Sequence, residues 1–186
     1  MIELNGDVII KTMKWKKISS EEIFSHPRLK LVEDTVELPN GVERKYLTFG
    51  DTMDVVTVIC KNNQGQFLIQ KEMSYPHNEM LFQFPGGKLD YGESPEDGAN
   101  RELSEEASLF ANSLELLGKY LTNNRRSKSW MHVFLATNLR KRDFEADIDE
   151  EFEDFWMDEN QIDDLITKGE IVNVNMLASW CLFKLK

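Results

Sequence analysis

The stretch that decides the fold runs from Gly87 to Leu109 and reads GKLDYGESPEDGANRELSEEASL. Near its end, three glutamates (Glu102, Glu105 and Glu106) share a predicted helix. Residues three or four apart lie on one helix face, so these like charges repel one another. Carboxylates near the carboxyl end of a helix also oppose its dipole. The cluster therefore indicates a use for the negative charge, and the simplest use is to bind a hard divalent cation through oxygen.

The start of this predicted helix is clearly marked. Ser94 is a suitable N-cap and Pro95 suits the first helical position. Before the helix, residues 84–87 read FPGG, a loop whose backbone can approach a ligand closely. The apolar residues 81–84 are predicted to form a short strand. The local order is therefore a strand, a glycine-rich loop and a helix with an acidic face.

This stretch resembles the signature of the Nudix hydrolases, G-x5-E-x7-R-E-U-x-E-E-x-G-U, in which U is a bulky apolar residue. The residues in register are Gly87, Glu93, Arg101, Glu102, Leu103, Glu105, Glu106 and Leu109. Ser108 replaces the last glycine of the signature. A glycine there commonly adopts the left-handed conformation that ends a helix. We therefore expect Ser108 to cost about 1 kcal/mol of stability while the chemistry is kept.

The resemblance implies hydrolysis of a nucleoside diphosphate linked to another moiety, with Mg²⁺ as the cofactor and Mn²⁺ as an alternative. The implied metal ligands are Gly86 (through its carbonyl), Glu102, Glu105, Glu106 and Glu151. The implied catalytic residues are Arg101, Glu105, Glu106 and Glu151. Arg101 is expected to orient Glu105 or Glu93 through an ion pair rather than to contact substrate.

The resemblance leaves the general base open. Related enzymes that hydrolyse ADP-ribose supply a further glutamate from a later loop. Its counterpart here lies within residues 149–153, which read DEEFE. We favour Glu151 as that residue and then Glu150.

Substrate choice is predicted to depend mainly on residues outside the signature: Trp15, Arg125 and Arg126. Glu93, inside the signature, is a further candidate to bind substrate. The segment 123–128 reads NNRRSK, so it either clamps phosphates or is an ordinary basic surface loop. Trp15 and Tyr75 are candidates to stack on a base. Arg125 stands where ADP-ribose pyrophosphatases tend to carry a proline, so nucleotide sugars stay open as substrates beside ADP-ribose. Two alternatives also stay open: a sensor that binds nucleotide sugars without cutting them, and a hydrolase of dinucleoside polyphosphates or nucleoside triphosphates.

Composition excludes several classes of function. The net charge of −11 disfavours a nucleic-acid partner. Twelve acidic residues and no Lys or Arg lie between Asp143 and Asp164, and most of them are expected on the solvated surface. The sequence shows no apolar run long enough for a membrane span and no secretory signal, which predicts a cytoplasmic protein. Cys60 and Cys181 lie in apolar runs and are predicted to be buried, reduced thiols.

The order of predicted elements favours an α/β fold. Strands and helices alternate, which suits the α/β/α sandwich with a mixed sheet that the Nudix resemblance implies. Residues 1–50 are expected to form an antiparallel β extension and residues 51–186 the Nudix domain. The resemblance also implies a homodimer that forms through the N-terminal strands.

Overall fold

A computed structural model describes residues 14–142 and 152–186. These residues form two compact units. The first unit contains the described residues up to Asp51 together with Arg125–Ser127. The second unit contains Thr52–Asn124 and Lys128–Lys186.

The first unit is a three-stranded antiparallel sheet. Its strands are β1 (Lys16–His26), β2 (Leu29–Glu37) and β3 (Glu43–Gly50), in the order β1-β2-β3. Residues 38–42 read LPNGV, a sequence that predicts a turn, and this turn joins β2 to β3. Gly41 has the positive φ of 81° that such a turn requires. This confirms the antiparallel N-terminal extension.

Among the described residues of the second unit, three strands precede the first helix, three more strands follow it, and two helices come last. The strands are β4 (Val55–Cys60), β5 (Phe67–Ser74), β6 (Glu79–Gln83), β7 (Leu109–Leu121), β8 (Trp130–Lys141) and β9 (Phe152–Met157). The helices are α1 (Pro95–Ala107), α2 (Glu159–Thr167) and α3 (Val174–Lys184). One sheet has the order β4-β8-β7 and is mixed, because β8 is parallel to β4 and antiparallel to β7. The other sheet has the order β6-β5-β9 and is antiparallel.

The central strands separate two apolar cores. Along β4, Val56 and Val58 face one core, whereas Ile59 faces the other, as the two-residue period of a strand requires. The first core is covered by α1, which contributes the fully buried Leu103. The second core is covered by α2 and α3, which contribute buried residues such as Trp180. The predicted α/β/α sandwich with a mixed sheet is therefore confirmed.

Helix α1 is fixed at both ends. The Ser94 side chain accepts a hydrogen bond from the Asp97 backbone N–H (3.1 Å), which confirms the predicted N-cap. Ser108 ends the helix at φ 51° and ψ 36°, the left-handed conformation expected of the replaced glycine. Between these ends, the Asn100 side-chain amide is paired with the backbone of Ala111 on β7. Its Nδ2 donates to the Ala111 carbonyl (3.3 Å), and its Oδ1 accepts from the Ala111 N–H (2.9 Å).

Two expectations from the sequence need correction. Cys60 is buried as predicted, but Cys181 is exposed, because only one face of α3 packs against the core and Cys181 lies on the other. Both thiols are free. The apolar pattern after the signature predicts a strand from Leu114 to Leu121, but strand β7 begins at Leu109, because its pairing with β8 includes polar residues such as Ser113. Among the described residues, no helix is long and apolar enough to cross a membrane.

Ser108 generates a prediction about stability. We expect Ser108→Gly to raise the free energy of unfolding by about 0.5–1 kcal/mol, because relief of the left-handed strain outweighs the added entropy of the unfolded chain. Chemical denaturation measures this difference. Ser108→Ala is the control: it keeps the strain and removes only the hydroxyl, so a gain from alanine equal to that from glycine contradicts the explanation.

Candidate active site

The glycine-rich loop lies against β4 with no space for side chains. The Val58 N–H donates to the Pro85 carbonyl (2.8 Å), and the Val56 N–H donates to the Gly87 carbonyl (2.8 Å). A Cβ atom on Gly86, whose φ is 150°, would lie 2.2 Å from the Val56 carbonyl oxygen. The loop therefore requires glycine for steric reasons as well as for its backbone conformation.

Two glutamates of α1 reach this loop from the other side. The Gly86 N–H donates to Glu106 Oε2 (3.0 Å). A Cβ atom on Gly87 would lie 2.5 Å from Glu102 Oε1, so the carboxylate of Glu102 sits directly against the glycine backbone. Among the described residues, Glu102 is the one charged residue that is buried, with 8% of its surface exposed. The two carboxylates therefore converge on residues 86–87.

Arg101 connects the acidic side chains around it. Its Nε donates to Glu93 Oε1 (2.9 Å) and its Nη2 donates to Glu93 Oε2 (3.0 Å), a two-pronged contact. Its Nη1 donates to Glu105 Oε2 (2.8 Å) and lies 2.9 Å from Glu102 Oε1. Its Nη2 also donates to the Lys88 carbonyl (2.9 Å), which ties the guanidinium to the loop. One cation thus offsets the mutual repulsion of three carboxylates.

The electrostatic consequences follow from these contacts. Hydrogen bonds from Arg101 lower the pKa of Glu93 below its ordinary value of 4.5, although burial of the carboxyl acts in the opposite direction. The same hydrogen bonds to Glu93, with the charges of the neighbouring carboxylates, raise the pKa of Arg101. Glu93 is therefore ionised and Arg101 is charged at neutral pH.

The donor set of α1 fits a hard divalent cation in its chemistry. Glu102, Glu105 and Glu106 offer carboxylate oxygens, and Gly86 offers a backbone oxygen, which are the ligands that Mg²⁺ and Mn²⁺ prefer. In the described part of the chain, no three His, Cys, Asp or Glu side chains are arranged as a metal site. In this structure, Glu105 Oε2 accepts a hydrogen bond from Arg101, and Glu106 Oε2 accepts one from the Gly86 N–H.

The predicted substrate residues Trp15, Arg125 and Arg126 belong to the first unit. The ring of Trp15 packs edge-on against Tyr46, with centroids 5.7 Å apart. The guanidinium of Arg126 lies 5.4 Å from the Tyr46 ring centroid, and its Nη1 donates to the Leu47 carbonyl (3.0 Å). Tyr46 thus brings Trp15 and Arg126 together. A tyrosine in an alternating strand carries little signal of such a position, so sequence reasoning missed it.

Three further residues were predicted to take part in the site: Tyr75, Glu150 and Glu151. Tyr75 is 90% exposed, on the turn between β5 and β6. Glu150 and Glu151 lie outside the described residues, so the prediction that one of them is the further glutamate of a later loop stays a prediction.

Sequence reasoning also missed two polar contacts beside the site. His132 Nε2 lies 2.8 Å from Asp54 Oδ2, and the Asp54 carbonyl accepts from the Leu89 N–H (3.0 Å) just after the glycine loop. Burial acts to raise the pKa of Asp54, but hydrogen bonds from His132 and the Trp130 N–H hold it below its ordinary value. Gln70 is buried against the end of α1. The sequence does carry a signal for Gln70, because a glutamine ends the otherwise apolar run 67–70, which reads FLIQ.

Comparisons with known proteins agree with this geometry. A family model of the NUDIX domain matches residues 51–179, and a model of the nucleoside diphosphate sugar hydrolase N-terminal domain matches residues 15–46. The chain belongs to the Nudix family and is a pyrophosphohydrolase of that family.

Its relatives narrow the class further. An ADP-ribose pyrophosphatase of Bacillus subtilis (strain 168) is 32% identical over 142 residues, which are 76% of each chain. The methanol dehydrogenase activator of Bacillus methanolicus is 33% identical over 141 residues, again 76% of each chain. A crystal structure of an ADP compounds hydrolase superposes with a TM-score of 0.81 over 92% of each chain, at 22% identity, and so shares the fold. The chain is therefore a Nudix hydrolase related to ADP-ribose pyrophosphatases.

The Arg101 network generates a prediction about pH. Because the folded-state pKa of Glu93 is lowered, its contribution to stability is present above the unfolded value of about 4.5 and is lost as the pH falls through the folded value. We expect Arg101→Met to cost about 2 kcal/mol at pH 7 and clearly less at pH 3. Denaturation in a chelating buffer at both pH values measures the difference.

The control is Arg28→Met, a change at an exposed arginine of the first unit. It is expected to alter the free energy of unfolding by less than about 0.5 kcal/mol at either pH. A cost for Arg101→Met that is the same at pH 7 and pH 3 contradicts the assignment of the effect to Glu93.

Proposed function

We propose that this chain is a Mg²⁺-dependent pyrophosphohydrolase of ADP-ribose or a nucleotide sugar, with Mn²⁺ as an alternative metal. The observation that carries the proposal is the convergence of Glu102 and Glu106 on the backbone of Gly86 and Gly87. A negative face beside a glycine loop repels a pyrophosphate unless a cation lies between them. The names of the relatives and the match of residues 15–46 to a nucleoside diphosphate sugar hydrolase domain support the substrate class.

The residues that would hold the metal are Glu102, Glu105, Glu106 and the Gly86 carbonyl, with Glu151 as a further ligand. When bound, the cation neutralises phosphate charge, polarises the scissile phosphorus and lowers the pKa of a water. The contacts of the chain suit this arrangement, because α1 and the loop are both fixed against β4. Arg101 keeps Glu105 and Glu93 in place without contacting substrate.

The reaction is a hydrolysis that leaves a phosphate on each product. The water oxygen forms a bond to one phosphorus, the bond from that phosphorus to the bridging oxygen breaks, and the bridging oxygen leaves with the other phosphate. A carboxylate accepts the proton of the water. We assign that task first to Glu151 and then to Glu150, whereas Glu105 and Glu106 would serve as ligands of the metal.

We further propose that the N-terminal extension, residues 1–50, recognises the substrate and joins two copies of the chain. The Tyr46 cluster supports recognition, since it combines an aromatic edge from Trp15 with the guanidinium of Arg126. Arg125 is exposed and adds charge to the same segment. We also propose that residues 51–186 form the hydrolase domain. The cytoplasmic location predicted from the sequence is part of the same proposal.

Dimerisation is supported by the apolar side chains on the first unit. Ile18, Ile23 and Phe24 on β1 are each almost half exposed, and Leu47 and Phe49 on β3 are more than a third exposed. A soluble monomer rarely leaves so many large apolar side chains on one small sheet. A second copy of the chain is the partner that the family resemblance implies.

The dimer generates a prediction about mass. We expect light scattering to give twice the chain mass of 21.7 kDa for the wild type. Phe24→Asp is expected to shift the protein to the monomer, because it introduces a charge among the exposed apolar residues. Ser25→Asp, next along β1, is the control and leaves the dimer intact. A wild-type protein whose mass in light scattering is that of one chain contradicts the proposed dimer.

The metal site generates a prediction about turnover. We expect Glu106→Gln to lower kcat by about 10³-fold or more while the fold is kept, because the amide supplies a weaker metal ligand. The measurement is hydrolysis of ADP-ribose, nucleotide sugars, dinucleoside polyphosphates and nucleoside triphosphates with Mg²⁺ and with Mn²⁺, read by product identity. Glu115→Gln, an exposed glutamate of β7, is the matched control.

Two outcomes contradict the proposal in different ways. Near-wild-type turnover of Glu106→Gln shows that the metal ligands are wrongly assigned. Tight binding of ADP-ribose in calorimetry without phosphate-bearing products in the same sample shows a sensor instead of an enzyme. Turnover of triphosphates in preference to ADP-ribose and nucleotide sugars leaves the chemistry intact and overturns the substrate.

A further inference from the structure

Gln70 is a polar residue in a place where the sequence and the fold favour an apolar one. It ends the run Phe67-Leu68-Ile69-Gln70 on β5, and like its neighbours it is fully buried. Because side chains alternate along a strand, Gln70 shares a face with Leu68, which packs in the core beneath α1. A buried amide is unfavourable there unless its polar atoms are paired.

The nitrogen of the Gln70 side-chain amide donates two hydrogen bonds. Gln70 Nε2 donates to the carbonyl oxygen of Glu106 (3.3 Å) and to Asp154 Oδ1 on β9 (3.0 Å). Both partners accept hydrogen bonds, so the orientation of the amide is fixed: an amide rotated by 180° would place oxygen against two acceptors. Gln70 and Asp154 are also directly paired in the register of β5 and β9.

The oxygen of the same amide has no hydrogen-bond partner among the described residues. Among the described residues, Gln70 Oε1 is the buried side-chain oxygen or nitrogen atom that lacks a hydrogen bond. An unpaired buried oxygen destabilises a fold, and an apolar side chain of similar shape avoids that cost. The presence of glutamine therefore indicates that the two hydrogen bonds from Nε2 have a use that a well-packed apolar residue does not supply.

The position of the first partner suggests that use. Carbonyl groups in the last turn of a helix have no partner within the helix, and Glu106 lies in the last turn of α1. Gln70 supplies the missing donor at the residue whose side chain accepts from Gly86. Since Asp154 holds the same amide from β9, Gln70 joins the end of α1 to a strand of the neighbouring sheet.

We propose that Gln70 is a positioning residue, which holds the last turn of α1 so that the Glu106 carboxylate stays at the Gly86 N–H. Asp154 completes the device by holding the Gln70 amide from the side of β9. The kinetic part of the inference rests on the proposed function. The structural part does not, because it concerns the contact between Glu106 and Gly86 in the protein alone.

Gln70→Met tests the proposal, because methionine has a similar length and shape but no donor. We expect kcat with ADP-ribose and Mg²⁺ to fall about 10–100-fold with a KM within about threefold, the pattern of a lost transition-state interaction. Hydrogen exchange of the Gly86 amide is expected to become about tenfold faster, because its acceptor is no longer held. The Tm is expected to change by less than about 4 °C.

Gln66→Met is the matched control. Gln66 precedes the same strand, and its side chain accepts a hydrogen bond from Asn62 Nδ2 (3.2 Å) in the turn before β5. It is expected to leave kcat and the exchange of the Gly86 amide unchanged. Equal losses in the two variants show a general effect of disturbing β5 and overturn the proposal.

Asp154 allows a second, independent test from the exposed side of the contact. Asp154→Ala removes the acceptor, so it is expected to reproduce part of the Gln70→Met loss, and the double variant is expected to be no worse than Gln70→Met alone. Asp154→Asn keeps an acceptor and is expected to retain most of the kcat. Losses that multiply in the double variant, or a large loss in Asp154→Asn, overturn the coupling between the two residues.

The outcomes separate this inference from the proposed function. A wild type that hydrolyses no nucleoside diphosphate derivative contradicts the proposed function, and the exchange of the Gly86 amide in Gln70→Met then decides the inference alone. An active wild type whose kcat and Gly86 exchange are both unchanged by Gln70→Met overturns the inference and leaves the proposed function standing.

Discussion

The ion-pair network of Arg101 is the interaction on which the acidic face of α1 depends. Glu93, Glu102 and Glu105 all lie within 3 Å of its guanidinium, so one delocalised cation holds three charges that would otherwise repel. The planar, forked guanidinium contacts them in several directions at once, which a lysine ammonium does with less geometric control. The same group also donates to the Lys88 carbonyl. Arg101 therefore both balances the charge of the helix and holds the backbone that follows the glycine-rich loop.

Close approach of backbone and carboxylate is the second constraint. Gly86 and Gly87 are enclosed by β4 on one side and by Glu102 and Glu106 on the other. Neither glycine has room for a Cβ atom, which on Gly86 would meet the β4 backbone and on Gly87 the Glu102 carboxylate. The loop therefore contacts the sheet through its backbone and the helix through the Glu102 and Glu106 side chains. The polar groups that support this arrangement, such as Gln70 and Asp54, lie on strands or beside them and make contact through the backbone of the loop or the helix.

Much of the fold and part of the candidate site follow from the sequence. The N-cap at Ser94, the left-handed Ser108 and the alternating core of β4 depend on local chemistry, and local chemistry is visible in a linear pattern. Cys181 was misplaced because an apolar run does not reveal which face of a helix meets the core. Tyr46 and Gln70 were missed for a related reason: their importance comes from residues far away in the chain, Arg126 and Glu106, and only tertiary structure brings those together.

The pairing of Asn100 with Ala111 has a consequence for solubility. Strand β7 is at the edge of the β4-β8-β7 sheet, and a free edge offers unpaired backbone groups on which another chain can add a strand. The Asn100 amide presents one donor and one acceptor to Ala111, much as a neighbouring strand does, and so covers the edge at that point. Helix α1 thus carries the acidic residues on one face and covers the edge of a sheet with another face. Damage that loosens this helix removes both at once, which links loss of the site to self-association of the protein.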